Sequence, residues 1–186
     1  MQKLLWTRAQ EDWHEDKIKL QELKVKVIHF PCIAFKRYKQ STLKQEIEKF
    51  RTKSPYFSIA FTSPRAAFWF CENTLGFVAI KQARKIYVFG EQTASTLKKI
   101  GVNPYKITAD VGKTFAPQVI ADLHPHEQIL LPGAKHRAFH WTQYPVATEL
   151  CLYETYTPQN NNLQNLYDFE GLIYLGSPSA VKGLTI

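Results

Sequence analysis

Apolar and polar residues follow two different patterns along the chain. Short apolar runs rich in β-branched and aromatic residues predict strands, and longer stretches with apolar residues three or four positions apart predict helices. Helices are predicted over Glu11–Leu23 and from Ser41 through Leu43, Ile47 and Phe50. The predicted strands are Leu4–Thr7, Val25–Phe30, Tyr56–Phe61, Ile86–Phe89, Ile129–Leu131, Leu150–Tyr153 and Leu172–Leu175. Strands that alternate with helices predict an α/β fold with mainly parallel sheets.

Two breaks in this pattern predict that one lobe is inserted in another. The strand-like run from Cys32 to Lys39 loses its apolar character at Lys36 and Arg37. Pro158 and the asparagines at 160–162 interrupt any regular element near the other end of the chain. We therefore expect the chain to leave a first lobe near residue 36 and to return to it near residue 158.

An internal repeat indicates that the two lobes are related. The segment Ile59–Ala67 resembles Ile173–Val181, since each has an apolar strand, then Ser-Pro, then small residues. Ser63 and Ser177 suit a helix N-cap, with the proline at the first helical position. The amide groups of such a turn can also receive a carboxylate or phosphate. Capping and ligand binding both remain open for these two serines.

Two further turns carry candidate binding groups. Gly90 is followed by Thr93, Ala94 and Ser95, and this turn matches neither a Walker loop nor a dinucleotide-binding fingerprint. Lys135 and Arg137 follow the glycine turn at Gly133. Cations at such a turn can bind a carboxylate, and they are equally typical of a solvated surface loop. Hydroxyl and cationic groups at these turns predict a site for a small anion.

Composition narrows the class of partner. The formal charge of +8 favours anionic partners, although it also serves solubility.

Cys32, Cys71 and Cys151 are widely spaced and predict buried free thiols, with neither a disulfide framework nor a zinc site. His124 and His126 have no evident third ligand, so we expect no metal. No apolar run is long enough to span a membrane, and we expect a cytoplasmic protein.

Taken together, these motifs resemble the uroporphyrinogen-III synthase family. The order and spacing of the motifs carry the resemblance, because no single one is specific. They are Trp6-Thr7-Arg8, Phe30-Pro31, Phe61-Thr62-Ser63-Pro64-Arg65-Ala66, the turn from Gly90 to Leu97 with Gly101, Leu131-Pro132-Gly133 with Arg137, Leu152-Tyr153-Glu154-Thr155 and Ser177-Pro178-Ser179-Ala180-Val181.

The resemblance implies two Rossmann-like lobes joined by a two-stranded linker, with the active site in a cleft between them. The first lobe would comprise residues 1–35 and 159–186, and the inserted lobe residues 36–158. Gly90 follows Ser63 by 27 residues, and the same offset from Ser177 leads past Ile186. The C-terminal part of the first lobe is therefore expected to be missing, which puts the activity of these residues alone in question.

The resemblance also implies a reaction and its residues. The family cyclises hydroxymethylbilane, a linear tetrapyrrole polycarboxylate, to uroporphyrinogen III, with loss of water and inversion of the last pyrrole ring, without cofactor or metal. Tyr153 corresponds to the family's tyrosine and is the expected catalytic proton donor. The expected substrate-binding residues are Ser63, Thr93, Ser177, Lys135 and Arg137.

Two functions of different classes follow from these observations. The first is the ring-closing enzyme, which we expect to act as a monomer on the polycarboxylate substrate, with no membrane and no nucleic acid as partner. The second is a non-catalytic or degenerate binder of an anionic ligand or of nucleic acid, consistent with the positive charge and the missing C-terminal part.

Overall fold

The computed structural model describes residues 2–108, 112–137, 139–158 and 166–184. The chain divides into two compact units, which we describe one at a time. The first unit comprises Met1–Lys36 and Thr155–Ile186, and the second comprises Arg37–Glu154. Among the described residues, no helix has the length and apolarity that a membrane crossing requires.

The first unit is built on a three-stranded parallel sheet. The sheet contains β2 (Lys26–His29), β1 (Lys3–Trp6) and β9 (Leu172–Tyr174) in that order, with Leu5 of β1 opposite Ile28 of β2 and Ile173 of β9. Leu5 is fully buried, whereas Ile173 is 47% exposed. The regular elements of the first unit are β1 (Lys3–Trp6), α1 (Trp13–Leu20), β2 (Lys26–His29), β9 (Leu172–Tyr174) and α7 (Pro178–Leu184). Short 3-10 turns lie at Gln10–Asp12 and Gln21–Leu23.

The second unit is built on a larger sheet flanked by helices. Its elements begin with α2 (Gln40–Lys53), β4 (Phe57–Phe61), α3 (Pro64–Glu72), α4 (Thr74–Gln82) and β5 (Ile86–Phe89). They continue with α5 (Glu91–Lys99), β6 (Lys106–Thr108), α6 (Gly112–Asp122), β7 (Gln128–Ala134) and β8 (Ala147–Tyr156). All five residues of β4 are buried, which places this strand at the centre of the apolar core.

The sheet of the second unit also includes β3 (Ala34–Arg37), and its strand order is β3-β8-β7-β4-β5-β6. The pairings of β4 with β5 and β7, of β5 with β6 and of β7 with β8 are all parallel. The predicted class, α/β with mainly parallel sheets, is confirmed. The boundaries between the units fall within β3 and β8, which are neighbours in the sheet.

Several elements differ from the sequence prediction. The predicted strand Leu150–Tyr153 is longer, because β8 begins at Ala147 and continues through Tyr156; residues 159–165 lie outside the described part of the chain. The helix predicted over Glu11–Leu23 is α only from Trp13 to Leu20. A 3-10 turn at Gln21–Leu23 follows it, and the left-handed conformation of Lys24 ends that turn. The elements α4, β6 and α6 were not predicted.

Candidate functional site

The Ser63 turn joins the end of β4 to the start of α3. Ser63 has an extended backbone, and its Oγ accepts a hydrogen bond from the backbone N–H of Ala66 at 3.1 Å. Pro64 occupies the first turn of the helix, where a missing N–H costs nothing. The helix cap predicted here is confirmed, and the Ser63 hydroxyl thereby has a fixed position.

Tyr153 lies beside this turn. β8 pairs with β7, and β7 with β4, so the ends of these parallel strands meet at one edge of the sheet. The Tyr153 hydroxyl is 3.4 Å from Ser63 Oγ, longer than the usual limit of about 3.0 Å for an O–H···O hydrogen bond, and either oxygen could be the donor. Tyr153 is only 6% exposed. The second unit thus brings together the predicted catalytic phenol and one predicted binding hydroxyl.

An aromatic and cationic cluster that was not predicted packs against Tyr153. The indole of Trp69, on α3, meets the Tyr153 ring edge-on, with 5.0 Å between centroids and 87° between planes. The guanidinium carbon of Arg37 is 4.1 Å from the centroid of the Trp69 ring, and that of Arg65 is 5.6 Å from it. Arg37 also donates a hydrogen bond to Glu72 at 2.9 Å. Of this cluster, only Arg65 is marked by a local sequence signal, because it directly follows the Ser63-Pro64 pair.

The Gly90 turn places Thr93 on a neighbouring helix. Gly90 has a φ of +81°, a left-handed conformation that glycine adopts without strain. The helix α5 that follows packs against α3 and buries Thr93, which is 1% exposed. The predicted contact of Thr93 with a ligand stays a prediction.

Lys135 and Arg137 occupy different environments after β7. Lys135 has a 46% exposed side chain, and its Nζ lies 3.3 Å from Glu154 Oε1. Arg137 is 10% exposed in its side chain and donates a hydrogen bond from Nη2 to the carbonyl oxygen of Leu150 at 3.0 Å. A Cβ at Gly133 would come within 2.7 Å of the Arg137 guanidinium, so glycine permits this close packing.

The two carboxylates of β8 respond to these cations. Burial alone would raise the pKa of Glu149, but the Trp141 backbone N–H, His140 and the charge of Arg137 together lower it. A hydrogen bond from Lys135 lowers the pKa of Glu154. Lys135 therefore already pairs with Glu154, and Arg137 with Glu149. A substrate carboxylate would have to displace these carboxylates or bind beside them. The predicted role of Lys135 and Arg137 in binding stays a prediction.

Ser177 repeats the Ser63 cap in the first unit. Its Oγ accepts a hydrogen bond from the backbone N–H of Ala180 at 3.2 Å, ahead of α7. The strand before it contacts Thr7, whose hydroxyl donates to the carbonyl oxygen of Tyr174. The predicted role of Ser177 in substrate binding stays a prediction.

The three cysteines and the histidines His124 and His126 are the side chains that the sequence analysis considered as metal ligands. No group of three or more His, Cys, Asp or Glu side chains in the described part of the chain is arranged to hold a metal ion. The three thiols are free; Cys32 is buried, and Cys71 and Cys151 are partly buried. Burial raises the pKa of Cys32 to about 11 and that of Cys71 to about 12. These two thiols are accordingly poor nucleophiles at neutral pH.

Comparison with known proteins decides the family. A family model described as uroporphyrinogen-III synthase HemD matches residues 15–185. The chain belongs to the uroporphyrinogen-III synthase family. A comparison with curated proteins finds no match.

Solved structures of this family share the fold. The chain resembles a mutant uroporphyrinogen III synthase from the extremely thermophilic bacterium Thermus thermophilus with a TM-score of 0.58 and 13% sequence identity, over 85% of this chain and 64% of that one. A second Thermus thermophilus uroporphyrinogen III synthase structure matches with a TM-score of 0.51 and 13% identity, over 99% of this chain and 76% of that one. The chain thus spans slightly less than two thirds of the length of the first of these structures.

Proposed function

We propose that this chain is a uroporphyrinogen-III synthase, a cyclising lyase of tetrapyrrole and heme biosynthesis. Its substrate would be hydroxymethylbilane and its product uroporphyrinogen III. Family membership over residues 15–185 supports this proposal. The observation that carries it within the molecule is the 3.4 Å approach of the Tyr153 hydroxyl to Ser63 Oγ at one edge of the sheet of the second unit.

In the proposed reaction, Tyr153 is the catalytic acid. A phenol keeps its proton at neutral pH and can donate it to a leaving hydroxyl group. The hydroxyl of the bilane then leaves as water, and an azafulvene cation remains. Attack on this cation by the last ring through its substituted carbon gives a spiro intermediate. The bond from that carbon to its original methylene bridge then breaks to give a second azafulvene cation, and the free α-carbon of the same ring attacks it. Loss of a proton, which can return to the Tyr153 phenolate, leaves the macrocycle with its last ring inverted. Because the bilane also closes without inversion in solution, the protein contributes mainly by orientation.

The carboxylates of the bilane explain the other proposed roles. The hydroxyls of Ser63, Thr93 and Ser177 would contact carboxylates or pyrrole groups. Lys135 is the better placed of the two cations for a propionate, because its side chain is 46% exposed and that of Arg137 is 10% exposed. The formal charge of +8 adds a general attraction for a polycarboxylate.

The proposal includes the state of the protein. We infer a cytoplasmic monomer that acts without cofactor or metal, and nucleic acid is not the expected partner. Binding of nucleic acid through scattered surface cations would weaken steeply as salt rises. A salt titration with a labelled oligonucleotide therefore tests this part of the proposal, and tight binding at physiological salt would contradict it.

The product isomer tests the proposed activity. The purified chain would be incubated with freshly prepared hydroxymethylbilane, and the uroporphyrinogen isomers separated after oxidation. We expect type III in excess, in an amount that rises with protein concentration. Type I alone, at every protein concentration, would contradict the activity and favour a non-catalytic binder.

A further inference from the structure

Trp69 packs directly against Tyr153, the candidate acid. The indole of Trp69, on α3, packs edge-to-face with the ring of Tyr153 on β8, and the Arg37 guanidinium of β3 lies over the indole ring. Trp69 is 8% exposed and Tyr153 is 6% exposed, so neither ring turns without displacing packed neighbours. The Tyr153 phenol is thereby held between the indole and the Ser63 hydroxyl.

Arg37 fixes the indole in turn. Its guanidinium carbon is 4.1 Å from the centroid of the Trp69 ring, which is within the range of a cation–π interaction. Its Nη1 forms an ion pair with Glu72 Oε2 at 2.9 Å. Glu72 and Trp69 both belong to α3, so the arginine is tied to the helix at two points. The indole therefore has a partner on its face as well as at its edge.

We propose that Trp69 is a positioning residue, which orients the Tyr153 phenol toward Ser63 and is itself held by Arg37. This inference rests on the proposed function, because it assigns the oriented phenol to proton donation. An edge-on aromatic pair restrains ring orientation as well as burying surface. Since proton transfer depends on geometry before pKa, loss of the indole would affect turnover through Tyr153.

The orientation can be measured without turnover. The chain contains nine tyrosines, and labelling with 3-fluorotyrosine gives each a fluorine resonance; the Tyr153 resonance is the one that Tyr153→Phe removes. We expect Trp69→Leu to shift or broaden that resonance and Trp69→Phe, which retains an aromatic ring, to change it less. Trp141→Leu is the matched control, because Trp141 is 3% exposed and packs against Phe115 in a separate cluster. The same Tyr153 resonance in wild type and Trp69→Leu would overturn the proposal.

A double-mutant cycle tests the functional consequence. We expect Trp69→Leu to lower kcat for type III formation by about 10-fold with KM unchanged, since a misplacement of about 1 Å can cost up to 10²-fold. In the Tyr153→Phe background the same substitution should leave kcat unchanged, because residues that act as a unit are not additive. An equal loss of kcat in both backgrounds would overturn the positioning role. If wild type forms no type III isomer while Trp69→Leu still moves the Tyr153 resonance, the proposed function fails and the restraint on the phenol stands.

Discussion

The two Ser-Pro turns have the same local geometry and different surroundings. In both, the serine Oγ accepts a hydrogen bond from the backbone N–H three residues later, at 3.1 Å for Ser63 and 3.2 Å for Ser177. The strand before Ser63 is buried at all five positions, whereas all three residues of the strand before Ser177 are exposed. Ser63 also lies 3.4 Å from the Tyr153 hydroxyl. A short sequence repeat thus specifies a cap, and the rest of each unit determines what the cap is next to.

The largest effect should separate the strands that precede the two turns. Ile59 and Ile173 occupy equivalent positions of the repeat, but Ile59 is fully buried and Ile173 is 47% exposed. Ile59→Ala should lower the free energy of unfolding by about 2–5 kcal/mol, the usual cost of a core cavity, and Ile173→Ala by about 1 kcal/mol or less. Urea unfolding followed by circular dichroism measures both. Equal losses of unfolding free energy in the two variants would contradict this difference in burial between the two strands.

A smaller effect should appear on β8, the strand that brings Tyr153 to the Ser63 turn. Glu149 accepts hydrogen bonds from the Trp141 backbone N–H at 2.7 Å and from His140 at 3.0 Å when that ring nitrogen is protonated. Glu149→Gln should cost about 1–3 kcal/mol of unfolding free energy at pH 7, as for other hydrogen bonds to charged groups. Glu154→Gln, on the same strand but hydrogen-bonded to the exposed Lys135, is the control and should cost less.

The pH dependence of that difference has a defined sign. The pKa of Glu149 is lowered in the folded state, so its contribution to stability is fully present above the ordinary carboxyl value of 4.5. It is lost as the pH falls through the lower, folded-state pKa. The stability advantage of wild type over Glu149→Gln should therefore shrink below that range. An advantage that grows on acidification would contradict the assigned hydrogen bonds.

The smallest effect concerns the caps themselves. Ser63→Ala and Ser177→Ala should each lower the unfolding free energy by about 1 kcal/mol, the usual cost of losing an N-cap, and serine to threonine should restore most of it. Similar losses in the two units would support the equivalence of the turns. A neutral Ser63→Ala would mean that the cap contributes nothing where the strand before it is already buried.

The sequence predicted the elements whose signals are local. The strands over Phe57–Phe61 and Ile86–Phe89 are short apolar runs, and Ser63 is a capping residue followed by proline. The helix α4 was not predicted because its apolar residues do not form one face and Gly76 lies within it, although Asn73 caps it through Oδ1. The helix α6 contains Pro117, and proline within a helix removes a backbone hydrogen bond, so the local signal for this helix is weak.

The candidate site was predicted only in part, for a physical reason. Tyr153 could be named from a resemblance to a family, and Ser63 from its turn. The contacts of Trp69 with Arg37 and Tyr153 depend on one helix, α3, packing against two strands, β3 and β8, and no pattern of nearby residues encodes them. Thr93 was predicted from the Gly90 turn, but its 1% exposure follows from the packing of α5 against α3.

The most direct test of the account is the rate of type III formation by Tyr153→Phe. Tyr156→Phe is the matched control, since Tyr156 lies on the same strand and is 48% exposed. Removal of the phenol hydroxyl should lower kcat by about 10²-fold or more, the usual contribution of a general acid, while both variants remain as stable as wild type. A Tyr153→Phe variant that forms type III isomer at the wild-type rate would contradict the assignment of Tyr153 as the proton donor.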